Sequence, residues 1–535
     1  MQNLKWVSNI LLLLLFSLSD QTLACSAPDR ASLLTFKSRI SKDTTDILSS
    51  WVGRDCCDGD WEGIQCNPIT GRVVAVQLQR PVDKGSALYM KGTLSSSLGD
   101  LQFLEILVIS GLKQIGGQIP ESFLKLTRLT QLVLEDNSLV GSIPTGLSQL
   151  HLLEVLSLSG NHLEGQIPPS LGNLRYLFQI NLARNSLTGE IPQSFKNLLH
   201  LQYFDLSSNY LLKGAIPDFV GEFRNLSFID LSNNQFSGEI PVSLCRLPSL
   251  LDISLNQNKL TGNIPEQIWS LKSLTTLSLS GNDLSGEIPE SISRLQNLWY
   301  LNLSRNALSG PLPSTLAKGI PSLLSIDLSY NKLNLGKIPD WVRTRRLTDV
   351  HLAGCNLKGD LPNFMRPRTL NSIDLSDNFL TGGISRFFTN MSNLQKIKLS
   401  NNQITSGFPL FNQSFDLRYL NLSRNKITGQ IPSSVSNLGT LEVLDISRNQ
   451  ISGSIPISLG QLKKLQWLDL SINGMTGKIP NSLLEIKGLK HANFRANKLC
   501  GEIPQGRPFN IFPIAAYAHN QCLCGKPMPP CKRRR

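Results

Sequence analysis

The sequence is poor in long apolar runs and in histidine, and both shortages exclude classes of protein. After residue 18, no stretch reaches the roughly 18 consecutive apolar residues that a transmembrane helix needs. The 6 histidines among 535 residues lie in no H-E-x-x-H or similar cluster, and we find neither a G-x-S-x-G nor a P-loop motif. We therefore predict a chain without a membrane span, without enzymatic activity, and without a metal or cofactor.

Cysteine is almost absent from the middle of the chain. Of the 10 cysteines, only Cys245 and Cys355 lie between the two ends. The others are Cys25, Cys56, Cys57 and Cys66 near the start and Cys500, Cys522, Cys524 and Cys531 near the end. Zinc is the competing interpretation, but CC and C-x-C spacings without nearby histidines fit it poorly. Disulfides fit better if the chain is exported.

The N-terminus has the features of a secretory signal peptide. Lys5 gives a positive start, residues 10–18 ("ILLLLLFSL") form a short apolar stretch, and residues 22–24 ("TLA") place small residues before Cys25. The apolar stretch is too short to span a bilayer. We find no signal for a lipid anchor at the other end. The sequence thus predicts removal of residues 1–24 and export of a soluble chain.

A unit of 23 to 25 residues fills most of the chain. Its "LxxLxLxxN" pattern places the Asn position at 137, 161, 185, 209, 234, 258, 282, 306, 331, 355, 378, 402, 425, 449, 473 and 497, and one irregular unit covers 104–120, so we count about 17 units. Leu277 and Leu279 alternate with polar residues, which predicts a half-buried strand. We expect Asn282 to satisfy backbone groups at the following turn, and Gly286 and Pro289 to end strand pairing.

This is the pattern of leucine-rich repeat proteins. With "LxGxIP" in nearly every unit, the chain resembles the plant extracellular subtype. The resemblance implies an α/β solenoid: a right-handed curved superhelix with a long parallel sheet on its concave face and disulfide-bonded caps. The convex motif departs from the pattern most at residues 382–385 ("GGIS") and 406–409 ("SGFP"). Cys355 replaces the ladder Asn, and we interpret it as a tolerated substitution because a buried thiol is a weak donor.

The resemblance extends to both ends of the array. Residues 55–66 ("DCCDGDWEGIQC") resemble the subtype's N-terminal cap, and the last four cysteines resemble the C-terminal cap of polygalacturonase-inhibiting proteins. By that resemblance the pairs are Cys25–Cys56, Cys57–Cys66, Cys500–Cys522 and Cys524–Cys531, with Cys245 and Cys355 free and buried. The implied division is signal peptide 1–24, N-terminal cysteine cap 25–72, repeat array 73–504, and C-terminal cap with basic tail 505–535.

Residues that vary between units are expected to line the concave face, which such arrays use for binding. Consecutive units place rings and carboxylates there, and we predict that this patch contacts a protein. Its members are Tyr203, Asp205, Phe228, Asp230 and Asp252. The alternative for each Asp is that Asp is simply the favoured strand residue, since it recurs at 327, 374, 445 and 469.

Further along, the concave face is expected to turn basic. Lys396, Lys398 and Arg495 lie in this stretch, and Arg424 and Arg448 occupy one column in adjacent units, where their guanidinium groups could flank one carboxylate. The alternative is an ordinary solvated basic surface. We therefore include Arg424 and Arg448 among the candidate ligand-binding residues.

Five N-glycosylation sequons are present. They begin at Asn225, Asn302, Asn390, Asn412 and Asn421. Asn302 and Asn421 should point onto the concave face, where a glycan would obstruct part of the groove. Asn225 precedes its strand and should point away from that face.

The function that the resemblance implies is secreted recognition in the cell wall space. The chain would bind a protein or peptide ligand in defence or developmental signalling, with a membrane receptor kinase or a pathogen's wall-degrading enzyme as candidate partner. One alternative is a polygalacturonase-type enzyme inhibitor. Another is a structural wall protein held on pectin by its net charge of +13. We predict no nucleic-acid partner.

Overall fold

The computed structural model describes residues 24–81, 87–385, 387–388, 391, 393–411 and 413–531. The signal peptide apart from its last residue, the basic tail at 532–535, and the sequons at Asn390 and Asn412 lie outside the described residues. None of the described helices is long and apolar enough to cross a membrane. The chain forms two compact units, Met1–Asn258 (unit 1) and Lys259–Arg535 (unit 2). The boundaries drawn at residues 72 and 504 stay predictions.

Each repeat contributes one short strand to a parallel main sheet. In unit 1 these strands are Val73–Gln79, Ile106–Ser110, Gln131–Val133, Val155–Ser157, Gln179–Asn181, Tyr203–Asp205, Phe228–Asp230 and Asp252–Ser254. In unit 2 they are Thr276–Ser278, Tyr300–Asn302, Ser325–Asp327, Asp349–His351, Ser372–Asp374, Lys396–Lys398, Tyr419–Asn421, Val443–Asp445, Trp467–Asp469 and His491–Asn493. In most three-residue strands the middle residue is buried while the first and third reach the opposite side, which we call the open face.

A second set of strands follows the Asn position of many repeats. In unit 1 it comprises Met90–Thr93, Lys113–Gly117, Ser138–Ser142, His162–Gln166, Ser186–Gly189, Leu211–Ala215 and Gln235–Glu239. Two strands of the N-terminal segment pair antiparallel with the array: Ile40–Asp43 with Met90–Thr93, and Ile64–Cys66 with the first main-sheet strand. In unit 2 it comprises Lys259–Thr261, Lys358–Asp360, Phe379–Thr381, Ser452–Ser454, Gly474–Gly477, Lys498–Glu502 and Cys522–Cys524. We did not predict these strands, because "LSGEIP" lacks a clear period-two apolar pattern.

Short helical turns return the chain to the next main-sheet strand. Most follow a Pro of the "IP" motif, since Pro has no N–H to continue strand pairing and its fixed φ suits a helix start. Within the described residues the α-helices are Ala27–Ser38 and Asp340–Thr344. The 3-10 helices are Ile47–Ser50, Ser96–Asp100, Glu121–Lys125, Thr145–Gln149, Pro169–Asn173, Gln193–Asn197, Asp218–Glu222, Val242–Arg246, Glu266–Ser270, Glu290–Arg294, Ser314–Ala317, Pro367–Thr369, Ser433–Asn437, Ile457–Gln461, Asn481–Glu485 and Ile514–Ala516.

The repeated Asn side chains form a ladder of hydrogen bonds between successive repeats, as the sequence predicts. Asn161 is typical: its side-chain nitrogen donates to Leu134 O of the preceding repeat at 2.8 Å, and its oxygen accepts from Leu139 N at 3.0 Å. Both backbone groups are buried and would otherwise lack partners. Asn520 adds one further rung, because its nitrogen donates to Phe494 O at 2.9 Å and its oxygen accepts from Leu499 N at 3.1 Å.

Cys355 keeps only part of this ladder. Its buried thiol lies 3.4 Å from Leu328 O and donates a weak hydrogen bond to it, in agreement with the interpretation of Cys355 as a tolerated substitution. In the preceding repeat, Asn331 Oδ1 also accepts from Leu308 N at 3.1 Å. A thiol sulfur is a poor substitute for that acceptor.

We predict that Cys355→Asn stabilises the protein. The amide restores both the donor and the acceptor, which is worth about 1 kcal/mol in the free energy of unfolding. Urea denaturation of the variant and the parent measures the difference. Cys355→Ala, which removes the weak donor and adds no acceptor, is the matched control and should be less stable than the parent. A Cys355→Asn variant no more stable than Cys355→Ala would contradict the ladder interpretation.

Disulfides lie at the two ends of the chain. They join Cys25 to Cys56, Cys57 to Cys66, Cys500 to Cys522 and Cys524 to Cys531, which are the pairs that the family resemblance implies. Cys245 and Cys355 are free and buried. Burial raises the pKa of Cys245 to about 11 and, with the charge of Asp327, that of Cys355 to about 12. Both therefore remain thiols at neutral pH.

The N-terminal helix Ala27–Ser38 is tied to the first main-sheet strand by a buried carboxylate. Asp29 is fully buried and accepts from Arg72 Nε and Nη2, both at 2.8 Å, and from Val73 N at 2.9 Å. The stacked rings of Trp51 and Trp61, 5.4 Å apart, fill the space beside the helix. Because these contacts cover the apolar end of the stacked repeats, this segment acts as a cap.

A cluster of phenylalanines packs in one region of unit 2. Among the described residues between Phe379–Thr381 and Tyr419–Asn421, no helix is assigned. Phe411 lies at the centre of a ring cluster there, with ring centroids 5.3 Å from Phe388 and 5.6 Å from Phe415 in edge-to-face geometry. This is where the sequence departs most from the convex motif, and the large rings fill the core volume that the regular turn supplies elsewhere.

Candidate functional site

Two rings form a platform on the open face of unit 1. Tyr203 and Phe228 begin adjacent strands and lie opposite each other in register. Their ring planes are within 3° of parallel, and their centroids are 4.4 Å apart. Both side chains are half-buried, so one edge of the stack stays open to solvent. Sequence reasoning predicts the adjacency, and the structure adds the stacking.

The carboxylates beside these rings have a structural role as well as a charge. Asp205 Oδ1 accepts from Ser207 N at 2.9 Å, and Asp230 Oδ1 accepts from Ser232 N at 2.8 Å. The same bond closes the strand end at Asp327, Asp374, Asp445 and Asp469. Asp is thus favoured at this position for a backbone reason. The second oxygen of each carboxylate is not required for that bond, and at several positions it meets a neighbouring side chain, such as Lys398 at Asp374 and Asn493 at Asp469.

The rings and carboxylates are coupled electrostatically. The Tyr203 hydroxyl donates to Asp205 Oδ2 at 3.4 Å. Burial, together with the nearby negative charge of Asp205, raises the pKa of Tyr203 well above its ordinary value. Burial likewise raises the pKa of Asp230. A cation brought here by a ligand would offset this concentration of negative charge.

Asp252 completes the patch. It lies opposite Phe228 in register, so it continues the row of rings rather than the row of carboxylates. The structure therefore brings all five predicted residues of unit 1 onto adjacent strands of one face. We call Tyr203, Asp205, Phe228, Asp230 and Asp252 the Tyr203 patch.

The predicted basic stretch in unit 2 splits into separate features. Arg424 and Arg448 are exposed, but each precedes the ladder Asn in a left-handed turn, with φ of 55° and 54°, beyond the strand end. They do share one column, because Arg424 N donates to Ser447 O and Arg448 N to Ser471 O. Lys398, by contrast, lies on the open face with Nζ 3.3 Å from Asp374 Oδ2. Sequence periodicity missed the split because the turn conformation decides it.

Sequence reasoning also missed a cluster of His351, Ser372 and Asp327 on the open face of unit 2. His351 Nε2 lies 2.9 Å from Ser372 Oγ, and Nδ1 lies 3.6 Å from Asp327 Oδ2. Burial opposes ionisation of Asp327, but hydrogen bonds from His351 and Ser329 outweigh it and hold its pKa below the ordinary value. The three residues come from three successive repeats, so only the register reveals them.

The contacts run from serine to histidine to aspartate, as in a catalytic triad, but the environment of the serine differs from that of a catalytic nucleophile. Ser372 is only 6% exposed, and its N–H donates to Thr348 O instead of pointing at a reacting atom. Acyl transfer depends on donors aimed at a developing oxyanion. The arrangement is therefore better suited to fixing the charge pattern of the face than to hydrolysis.

The sequons occupy different surroundings. Asn225 is exposed, as expected from its place before the strand Phe228–Asp230. Asn302 and Asn421 are half-buried third residues of main-sheet strands, and each Oδ1 accepts from the Ser N–H two residues later, at 3.1 and 2.9 Å. A glycan on either would stand on the open face. Whether any sequon is occupied stays a prediction.

Known families match the repeats and the N-terminal cap. A leucine-rich repeat region model matches residues 164–407, a leucine rich repeat model matches 415–475, and the leucine rich repeat N-terminal domain matches 26–67. DNA damage-repair/toleration protein DRT100 of Arabidopsis thaliana is 32% identical over 139 residues, covering 25% of this chain and 37% of that protein. A polygalacturonase inhibitor of Vitis vinifera is 34% identical over 130 residues, covering 24% and 36%. The chain belongs to the leucine-rich repeat family, and the relatives that it resembles are plant proteins.

Solved structures of this family share the fold. The leucine-rich repeat ectodomain of the membrane receptor kinase GASSHO1/SCHENGEN3 from Arabidopsis thaliana, in complex with Casparian strip integrity factor 2, matches with a TM-score of 0.75 and 31% identity. The match covers 89% of this chain and 56% of that one. The chain spans little more than a third of the two curated relatives above. The solenoid with cysteine-bonded ends is thereby confirmed as the fold class.

Proposed function

We propose that this protein is an extracellular recognition protein, in the cell wall space, that binds a protein or peptide ligand on the open face of unit 1. The observation that carries the proposal is the Tyr203–Phe228 stack beside three aspartates. Rings half-exposed next to charged groups are typical anchors of protein interfaces. The disulfides support an oxidising compartment.

The comparisons support recognition without identifying the ligand. The matched ectodomain belongs to a membrane receptor kinase and was solved in complex with Casparian strip integrity factor 2. We infer that the present chain acts in defence or developmental signalling, and that a membrane receptor kinase or a wall-degrading enzyme is the candidate partner class. Pectin binding, which rests on net charge alone, stays a prediction.

The chemistry of the Tyr203 patch favours a ligand with an apolar group next to a cation. An aliphatic or aromatic side chain can pack on the open edge of the ring stack. A lysine or arginine beside it would meet Asp230 Oδ2, because Asp230 Oδ1 is held by Ser232, and the nearby charge of the buried Asp205 would add to the attraction. Charge-assisted hydrogen bonds of this kind are stronger than neutral ones.

We predict that Tyr203→Ala and Phe228→Ala each weaken ligand binding by about 1–3 kcal/mol, because each removes one half of the anchor. The ligand is first captured from wall extracts with the mature chain. Affinities of the parent and the variants are then compared by calorimetry. Loss of the stack should lower the free energy of unfolding by only about 1 kcal/mol.

Gln131→Ala is the matched control for this test. Gln131 begins a strand of the same sheet three strands before Tyr203, so it shares the fold but not the patch. Its affinity should equal that of the parent. If Tyr203→Ala and Phe228→Ala bind normally while Arg424→Ala or Arg448→Ala abolishes binding, the ligand site lies in unit 2 and the proposal is wrong.

The polygalacturonase-inhibitor alternative rests on one relative, a polygalacturonase inhibitor, of which the chain spans 36%. This alternative is tested by a different experiment: the purified chain alone must reduce the activity of a polygalacturonase. Inhibition that persists in Tyr203→Ala would favour this alternative and place the inhibitory surface elsewhere.

A further inference from the structure

A second row of side chains, three of them with rings, lies on the open face of unit 2. Tyr419, Val443, Trp467 and His491 begin four consecutive strands and lie opposite one another in register. We call these four residues the Trp467 row. The rings of Trp467 and His491 stack 3.7 Å apart at 13°, so the position of the indole is fixed by its neighbour.

The indole is nevertheless accessible. Trp467 remains 43% exposed, although tryptophan is usually well covered in a folded chain. His491 stacks on one face of the indole. The other face is turned toward Val443, on the neighbouring strand. A large, rigid and exposed ring on a sheet face is the usual form of a binding anchor.

Two carboxylates accompany the row. Asp445 and Asp469 are third residues of the strands that begin with Val443 and Trp467, and they lie opposite each other. Each uses Oδ1 to accept a Ser N–H, at 3.0 and 2.9 Å. Asp469 Oδ2 also accepts from Asn493 Nδ2 at 3.2 Å. Two adjacent negative charges therefore lie two residues from the exposed indole.

The cations of the chain do not neutralise these carboxylates. Among the described residues, no lysine, arginine or histidine nitrogen lies within ion-pair distance of Asp445 or Asp469. The lysines that border the row lie at its Tyr419 end: Lys396 Nζ and Lys398 Nζ are 5.9 and 5.8 Å from the centroid of the Tyr419 ring, and Lys398 also pairs with Asp374 at 3.3 Å. At the opposite, Trp467 end of the row, the nearest charges of the main-sheet strands are the carboxylates of Asp445 and Asp469.

We propose that the Trp467 row, with Asp445 and Asp469, binds an arginine side chain of a peptide or protein partner. A guanidinium is planar, stacks on indole by cation–π attraction, and pairs with carboxylates through its fork of N–H donors. Val443 would contact the aliphatic stem of the same side chain. This surface lies in unit 2 and is separate from the Tyr203 patch.

The test uses the full chain and a synthetic probe peptide, Gly-Ser-Leu-Arg-Bpa-Arg-Leu-Ser-Gly, in which Bpa is the photoreactive benzoylphenylalanine. Its twin carries citrulline in place of both arginines and so keeps the shape but not the charge. Crosslinks made on illumination are mapped by mass spectrometry. The arginine peptide should label residues 419–495, with yields about tenfold lower for the citrulline twin and for Trp467→Ala.

Two variants make the result specific. Asp445→Asn combined with Asp469→Asn keeps the oxygen that accepts each Ser N–H, as Asn421 does naturally, and should lower labelling about as much as Trp467→Ala. Trp299→Ala removes another exposed tryptophan of unit 2 that lies outside the row, and should leave labelling unchanged.

Equal labelling by the arginine and citrulline peptides would overturn the inference. So would unchanged labelling of Trp467→Ala, or the absence of any crosslink within 419–495. Crosslinks confined to the Tyr203 patch would refute this site while supporting the proposed function. The two proposals can therefore fail independently.

Discussion

Replacing Asp29 by alanine should lower the free energy of unfolding of the N-terminal cap by about 3–5 kcal/mol. The substitution leaves Arg72, whose side chain is mostly covered, without its carboxylate, and Val73 N without its acceptor. The cost is large because Asp29 is fully buried and supplies three hydrogen bonds at once. Hydrogen exchange, resolved over residues 26–80, measures opening of the cap, and urea denaturation measures its effect on the whole chain.

The matched control for Asp29 is Asp100. Asp100 also pairs with a cation, Lys125, at 3.4 Å, but both side chains are more than half exposed. Solvent screens such a pair, so Asp100→Ala should change stability by less than about 1 kcal/mol. Equal effects of the two substitutions would show that the carboxylate of Asp29 does not hold the cap.

Replacing Phe411 by alanine should cost about 3–5 kcal/mol of stability in unit 2. The side chain is fully buried, and its ring contacts Phe388 and Phe415 edge-to-face. Among the described residues around the cluster no helix is assigned, so the rings themselves supply much of the core packing there. Thermal and urea denaturation of the variant measure the loss.

The adjacent residue provides the control for Phe411. Leu410 is 62% exposed, so Leu410→Ala removes apolar atoms from the same loop without opening a cavity. Its effect should stay within about 0.5 kcal/mol. Phe411→Leu should fall between the two. If Phe411→Ala were as mild as Leu410→Ala, the rings would not form the core of this region.

Much of the fold follows from the repeat alone. A 24-residue spacing with leucines at period two predicts one strand per unit and therefore the register that sets Tyr203 beside Phe228. The Asn ladder is predictable for the same reason, since every unit faces the same unpaired backbone groups. Asn520 could have been found as well, because "HNQC" follows Asn497 at the usual interval.

Other features depend on contacts that no single unit contains. The phenylalanine cluster draws rings from different repeats, so the sequence shows only that its motif is irregular there. His351 and Ser372 meet through the register of neighbouring strands, which is visible once columns are compared but not from any motif. Trp467 begins its strand as Tyr203 and Phe228 begin theirs, but its stack with His491 depends on the neighbouring repeat. The position of Arg424 and Arg448 beyond the strands depends on a left-handed turn.

The third strand position has a genetic consequence. Asp205, Asp230 and Asp445 close their strand ends with one carboxylate oxygen, and Asn181, Asn302 and Asn421 make the same bond with an amide oxygen. Aspartate and asparagine codons differ by one base. A single mutation can therefore add or remove a negative charge on the open face, or create a glycan acceptor, while the backbone keeps its conformation. Selection can rewrite what this face recognises one repeat at a time without first repairing the fold.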